Sequence, residues 1–405
     1  ASSPLTVLSP VTDSGGGDIT LTATNDGGGD DDLTISANVT ATGGNGAIDL
    51  NAGTDLFVDT NAVVSTVGTG VITADADQAI AVSTGGATIQ SANGNITINA
   101  NAGSLTGNFD GISIDDGSIL STNGAIALTA NSGDNAGNEG ISLSNTATIE
   151  TTGNGNVTLN GTGVAGAGDG ININNSAVNV ADGDMNLTGI SSDGDGIEVM
   201  GSAAISSTGS GTITISGNAG AGGDDGVSIS GSTVSSTGTG TITIDGTSTG
   251  ALPGVAVSGA TAEIASDAGD IQITGTGVSG GVSIVAGVTE AIDADGVANI
   301  QVTGTATGGS AGACILMWLG FHDDLADPDN ADPVKRESTR LITLAPSGGQ
   351  PTISPVNFRE WFGVKNLMPH PAMRAIFGLR GEGLIENWTP ELTERARISS
   401  PITYL

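Results

Sequence analysis

Apolar and polar residues alternate in short stretches along most of this chain. A phrase of glycine, apolar, polar and apolar residues returns every 26 to 30 residues. Its seven clearest copies begin at Gly111, Gly140, Gly170, Gly196, Gly226, Gly254 and Gly281. Alternation with a period of two predicts short β-strands that bury one of their faces.

A second phrase keeps step with the first, at intervals of 28 to 31 residues. Its apolar pairs are Ile126/Leu128, Val157/Leu159, Met185/Leu187, Ile213/Ile215, Ile242/Ile244, Ile271/Ile273 and Ile300/Val302. A third short strand, ending in a Ser/Thr/Gly corner, lies between the two phrases, as in residues 203–209 and 233–238. Each repeat of about 28–29 residues is therefore predicted to hold three strands.

Strands this short cannot bury their apolar residues alone. Stacking of the same strand from the next repeat, about 4.8 Å away, pairs the backbone groups and aligns like side chains in an inner core. We therefore predict an all-β fold, a parallel β-helix or three-faced β-solenoid of about ten coils, over residues 17–312. Residues 1–16 are predicted to form an extended segment or a cap on the first coil, and residues 313–405 a small mixed C-terminal module.

The repeated phrases resemble those of a known group of exported proteins. The Gly-[Asn/Asp/Thr]-Ile-Thr-[Ile/Leu] phrases at Gly94, Gly211 and Gly240 look like those of filamentous-haemagglutinin-type adhesins and autotransporter passengers. The resemblance covers residues 17–304. It implies a right-handed β-helix, export to the extracellular space or a bacterial cell surface, and a role in attachment or fibre building.

The charge of the chain is strongly negative and unevenly distributed. The formal net charge is −34, and all nine Lys and Arg residues lie beyond residue 330. Nucleic acid and anionic membranes are therefore not expected as partners. No apolar run reaches the ~18 residues that a transmembrane helix needs. The chain begins with Ala1 rather than Met, as expected of a processed, exported product.

One corner of the predicted coil varies in length and carries much of the acid. The acidic residues on it are Asp134, Glu139, Asp169, Asp193, Asp195, Asp224 and Asp225. Stacked carboxylates and turn carbonyls are suitable ligands for Ca²⁺, which takes six to eight oxygens. The alternative is a solvated acidic edge that prevents lateral sticking. No cofactor is required by the sequence, and calcium is the one candidate.

The C-terminal segment differs in composition from the repeats. It holds all three Trp residues, both His residues and all basic residues. We expect it to cap the open end of the solenoid, to connect subunits head to tail, or to serve as an anchor or an unrelated appended segment. The candidate interface residues are Trp318, Arg359, Trp361, Phe362, Arg374, Phe377 and Trp388.

The sequence favours a function based on shape and surface rather than on catalysis. Residues 1–320 contain no Lys, Arg or His, and only Phe57 and Phe109 among the repeats are aromatic. We expect a non-enzymatic, secreted structural or adhesive protein whose partner is a second copy or a cell-surface glycan or protein. Two alternatives remain open: a polysaccharide hydrolase that uses two carboxylates, and a monomeric glycan- or cation-binding module.

Overall fold

The described part of the chain forms 33 short strands, which make three parallel sheets of eleven strands each. The computed structural model describes residues 4–27, 29–83, 85–164, 166, 168–222, 224–286, 291–294 and 298–307. Successive strands β1, β2 and β3 belong to sheets 1, 2 and 3, and this order repeats through the described strands. Three strands thus make one coil, and the predicted three-faced β-solenoid is confirmed.

Sheet 1 contains the glycine-initiated phrases of the sequence. Its strands are β1 (Leu5–Val7), β4 (Leu33–Ile35), β7 (Leu56–Val58), β10 (Ile80–Val82), β13 (Ile112–Asp115), β16 (Ile141–Ser144), β19 (Ile171–Asn174), β22 (Ile197–Met200), β25 (Val227–Ser230), β28 (Val255–Gly259) and β31 (Val282–Ala286).

Sheet 2 contains the third, intervening strands of each repeat. They are β2 (Val11–Asp13), β5 (Val39–Ala41), β8 (Val63–Thr66), β11 (Thr88–Ser91), β14 (Ser118–Ser121), β17 (Thr148–Thr151), β20 (Ala177–Val180), β23 (Ala204–Ser207), β26 (Thr233–Ser236), β29 (Glu263–Ser266) and β32 (Ile292–Ala294).

Sheet 3 contains the second apolar phrase and has the longest strands. They are β3 (Ile19–Ala23), β6 (Ile48–Ala52), β9 (Ile72–Ala76), β12 (Ile96–Ala100), β15 (Ile126–Asn131), β18 (Val157–Gly163), β21 (Met185–Ser191), β24 (Ile213–Ala219), β27 (Ile242–Ser248), β30 (Ile271–Gly277) and β33 (Ile300–Ala306). We name the turns by the sheets that they join. The 3–1 corner, for example, connects a sheet 3 strand to the next sheet 1 strand.

The core is a set of aliphatic columns that run from coil to coil. Ile242 pairs in register with Ile213 on one side and Ile271 on the other. All three side chains are fully buried. The residues between them, such as Thr243, point outwards and are partly exposed. The alternation that predicted the strands therefore also separates the core from the surface.

The first coil begins earlier than the glycine-initiated phrases indicated. Strands β1 and β2 lie within residues 1–16 and pair in parallel with β4 and β5. The chain divides into two compact units, Ala1–Gly304 and Thr305–Leu405. The predicted C-terminal module, residues 313–405, lies outside the described residues. Within the described ranges, no helix is long and apolar enough to span a membrane.

One inward position of sheet 3 changes from alanine to glycine halfway along the stack. Ala130 on β15 pairs with Gly161 on β18, and glycine then occupies this position in β21, β24, β27 and β30. A Cβ atom on Gly217 would lie 1.9 Å from the carbonyl oxygen of Gly226 in the following 3–1 corner. Glycine therefore lets that corner pack directly against the strand.

We expect Gly217→Ala to lower the melting temperature by about 2–6 °C, because a methyl group there overpacks the corner. The measurement is thermal unfolding followed by circular dichroism. Gly103→Ala is the matched control, since a Cβ atom at Gly103 would have no heavy atom within 4 Å. Equal melting temperatures for the two variants would contradict the packing argument.

Candidate functional site

Five consecutive coils carry an acidic residue at the same place in the 3–1 corner. Each of these residues directly precedes the glycine that leads into a sheet 1 strand. The five residues, which we call the carboxyl ladder, are Asp110, Glu139, Asp169, Asp195 and Asp225. Parallel in-register stacking brings them one above another at one edge of the solenoid.

The first four side chains of the ladder each accept a hydrogen bond from the backbone of the next coil. Asp110 Oδ1 accepts a hydrogen bond from the Glu139 N–H at 2.9 Å, and Glu139 Oε2 accepts one from the Asp169 N–H. Asp169 Oδ1 accepts from the Asp195 N–H at 2.8 Å, and Asp195 Oδ1 accepts from the Asp225 N–H at 2.6 Å. The ladder is thus a continuous chain of hydrogen bonds between side chains and backbone.

The glycine after each acid makes this arrangement possible. The Gly170 N–H donates to the carbonyl of Asp195, so the backbone also pairs across the corner. A Cβ atom on Gly170 would lie 2.3 Å from the backbone nitrogen of Ile190 in sheet 3. Any larger residue would push the corner outwards and expose the acid to water. The acid-glycine pair therefore holds the carboxyl group partly buried.

The ladder stops where the next coil offers no donor. Pro253 occupies the ladder position in the coil after Asp225, and proline has no backbone N–H. Asp225 Oδ1 is buried and has no hydrogen-bond partner. The four ladder carboxyl groups that do accept a backbone N–H are followed, at the ladder position of the next coil, by a residue other than proline. The end of the ladder at Asp225 is consequently set by a single proline.

Two outward side chains of sheet 1 extend the site. Asn172 Nδ2 donates to Asp169 Oδ2 at 2.9 Å and to Glu198 Oε2 at 2.8 Å. Asn172 on β19 and Glu198 on β22 are paired in register. The amide of Asn172 therefore bridges a ladder carboxyl and a neighbouring one, and its two donors partly offset the repulsion between them.

Burial raises the pKa of the carboxyl groups in the ladder. The pKa of Glu139 rises to about 8 because of burial and then of the nearby Asp169, Asp110 and Glu198. Burial and the charges of Asp169, Asp225 and Glu198 likewise raise the pKa of Asp195 to about 8.

The remaining ladder groups shift in the same direction. Burial and the nearby Glu198 raise the pKa of Asp169 to about 7, against the lowering effect of the Asn172 hydrogen bond. Burial and Asp224 raise the pKa of Asp225 to about 6, and burial also raises that of Asp110. Because residues 1–320 contain no basic residue, these acids stack without a cationic partner from the solenoid.

The structure brings together four of the seven acids in the predicted calcium ridge. Glu139, Asp169, Asp195 and Asp225 belong to the ladder. The other three lie elsewhere in the 3–1 corners: Asp134 Oδ1 accepts from the Gly107 N–H at 2.8 Å, Asp193 Oδ2 accepts from the Gly166 N–H at 3.0 Å, and the Asp224 carbonyl accepts from Ser248 Oγ at 2.7 Å.

Sequence reasoning missed three residues of the site, namely Asp110, Asn172 and Glu198. Asp110 could have been found from its place before Gly111, since the other ladder acids stand before the same phrase. Asn172 and Glu198 occupy the polar position inside that phrase, which alternation predicts to face outwards. Only the stacking shows that they lie beside the ladder.

No three His, Cys, Asp or Glu side chains within the described part of the chain are grouped so that they could hold a metal ion. Calcium binding along the 3–1 corners therefore stays a prediction. The predicted interface residues Trp318, Arg359, Trp361, Phe362, Arg374, Phe377 and Trp388 lie outside the described residues.

The three in-register sheets define the class of this protein as a parallel β-solenoid repeat protein. Comparison with protein-family models, with curated proteins and with solved structures gives no match. The class thus rests on the strand order and the register themselves.

We expect Asn172→Asp to destabilise the protein at pH 8 by about 1–3 kcal/mol, because it removes two donated hydrogen bonds and adds a third carboxyl group between two others. Chemical unfolding at pH 5 and pH 8 measures the effect. Asn160→Asp is the matched control, because Asn160 is also a half-buried outward residue but pairs with Thr129 and Thr188. Equal losses in both variants at pH 8 would show that the carboxyl neighbours are irrelevant.

Proposed function

We propose that this chain is a secreted, non-enzymatic structural or adhesive protein of the extracellular space or a bacterial cell surface. The observation that carries the proposal is the stack of three eleven-stranded parallel sheets around an aliphatic core. Such a stack turns a short repeat into an extended surface, and attachment and fibre building both use extended surfaces. The resemblance of its phrases to filamentous-haemagglutinin-type adhesins and autotransporter passengers supports the same function.

The outward side chains of sheet 3 support a role in attachment. Thr214, Thr243, Ser216 and Asp245 stack in two neighbouring columns on this face. Hydroxyl and carboxylate groups in regular columns can form many weak hydrogen bonds with a polar partner. The partner that we propose is a cell-surface glycan or protein, or a second copy of this chain.

Assembly through the C-terminal module, residues 313–405, is the second part of the proposal. All nine Lys and Arg residues belong to this segment, whereas residues 1–320 carry only acidic charges. Opposite charges favour contact between the C-terminal module of one copy and the acidic solenoid of the next. A head-to-tail homopolymer follows from such a contact if each copy repeats it.

Electron microscopy of the purified full chain, with and without millimolar Ca²⁺, tests this function. We expect uniform filaments whose axial repeat corresponds to one subunit. Filaments that need Ca²⁺ would support the predicted ion and those that form without it would show that assembly needs none. Isolated short particles in both conditions would contradict polymerisation and favour a monomeric glycan- or cation-binding module.

The variant Trp361→Ala tests the proposed connector. We expect it to shorten or abolish the filaments, since aromatic residues often dominate the energetics of protein contacts. Gln90→Ala, an outward substitution on sheet 2, is the control and should leave head-to-tail filaments intact. Normal filaments from Trp361→Ala would remove this residue from the interface.

One observation favours a hydrolase as the alternative function. Glu139 and Asp195 both lie near Glu198, and a glycosidase uses a pair of carboxyl groups that flank the scissile bond. The test is release of reducing ends from neutral and acidic polysaccharides by the wild type and by Glu198→Gln. If the wild type releases reducing ends and Glu198→Gln does not, a hydrolase function replaces the structural proposal. If the wild type releases none, the structural proposal stands.

A further inference from the structure

The carboxyl ladder places five acids in consecutive coils, and the solenoid supplies no cation to neutralise them. Each of the first four ladder acids accepts a hydrogen bond from the backbone N–H of the acid in the next coil. In-register stacking sets neighbouring coils about 4.8 Å apart. Full ionisation would therefore place negative charges in adjacent coils at a partly buried edge of the solenoid.

We propose that the carboxyl ladder is a pH-sensitive element that holds the 3–1 corners closed while its carboxyl groups keep their protons and loosens them when the groups ionise. This inference rests on the fold and is independent of the proposed function. It concerns the corner segments, such as residues 132–140 and 192–196, which lie between the sheets. The strands themselves stay paired in both states.

The groups that face the ladder are all acidic or neutral. Glu139 faces Asp110, Asp169 and Glu198, and Asp195 faces Asp169, Asp225 and Glu198. The described charged neighbour of Asp225 outside the ladder is Asp224. On the packed elements, Asn172 of β19 contributes neutral donors, and the adjoining sheet 3 position is Gly161, Gly189 or Gly217. None of these groups compensates a negative charge when the ladder ionises.

The direction of the pH effect follows from burial. The pKa values of Glu139 and Asp195 in the folded protein are about 8, above the ordinary value for a carboxyl group. The protonated form is therefore favoured by the fold. Its contribution to stability is complete below pH ~4 and is lost as the pH rises through about 6 to 8. Alkaline conditions loosen the corners, and acid conditions tighten them.

Hydrogen exchange of the full-length protein at pH 6 and pH 9 tests the inference. The probes are the backbone amides of Asp195 and Asp225, which donate to ladder carboxyl groups. We expect their protection factors, corrected for the intrinsic pH dependence of exchange, to fall about tenfold or more between the two pH values. Amides in the centre of β24 should stay protected, and the loss should reverse on return to pH 6.

Asp195→Asn separates charge from hydrogen bonding, because the amide oxygen still accepts from Asp225 and the ionisable group is gone. We expect this variant to lose clearly less protection at Asp225 than the wild type does. Asp184→Asn is the matched control: exposed Asp184 accepts from the Thr212 N–H of the next coil at the 2–3 corner. Its pH response at Asp225 should equal that of the wild type.

Three results would overturn the proposal. One is protection at Asp195 and Asp225 that does not change between pH 6 and pH 9 in the wild type. Another is a response that Asp195→Asn leaves unchanged. The third is an equal reduction of the response by Asp195→Asn and Asp184→Asn, which would assign it to net charge. The wild-type measurement decides the first point even if a variant fails to fold.

Discussion

Parallel in-register pairing is the constraint on which the rest of this structure depends. A residue at a given position of one coil has the equivalent residues of the two adjacent coils as its nearest neighbours. Ile242 between Ile213 and Ile271 shows the favourable side of this rule, since identical aliphatic side chains stack in register and are all fully buried. The carboxyl ladder shows the unfavourable side, because acids that recur with the repeat must also stack.

Within the described part of the chain, these stacked acids have hydrogen-bond partners rather than ion-pair partners. Four of the five ladder carboxyl groups accept a backbone N–H from the next coil. Asn172 donates further hydrogen bonds to Asp169 and Glu198. These contacts favour a charged carboxyl group, whereas burial and the neighbouring acids oppose it. Burial and the neighbouring acids have the larger effect, as the raised pKa values of Glu139 and Asp195 show. A basic residue that recurred in every repeat would also stack on itself, and would add a row of positive charges that repel one another.

The repeat made the fold predictable, and local contacts limited what could be predicted of the site. Alternation and a fixed period identified the strands, because both depend only on which residues are apolar. Residues 1–16 were predicted only as an extended segment or a cap on the first coil, because no glycine-initiated phrase precedes β1 or β2. Four ridge acids form the ladder while Asp134, Asp193 and Asp224 do not, because the path of a variable corner decides which backbone N–H a carboxyl group meets.

The change from alanine to glycine on sheet 3 has a consequence for inheritance. From β18 to β30 the inward glycine meets only glycine in the paired strands, so neighbouring coils there present equivalent contact surfaces. Duplication or deletion of a whole coil in this stretch would join surfaces that already fit. At the junction of Ala130 and Gly161 the two surfaces differ, and the same event would have to reproduce that mismatch. From β3 to β15 alanine meets only alanine in the same way. Whole coils can therefore be gained or lost within either stretch, and only the junction between the two stretches is fixed.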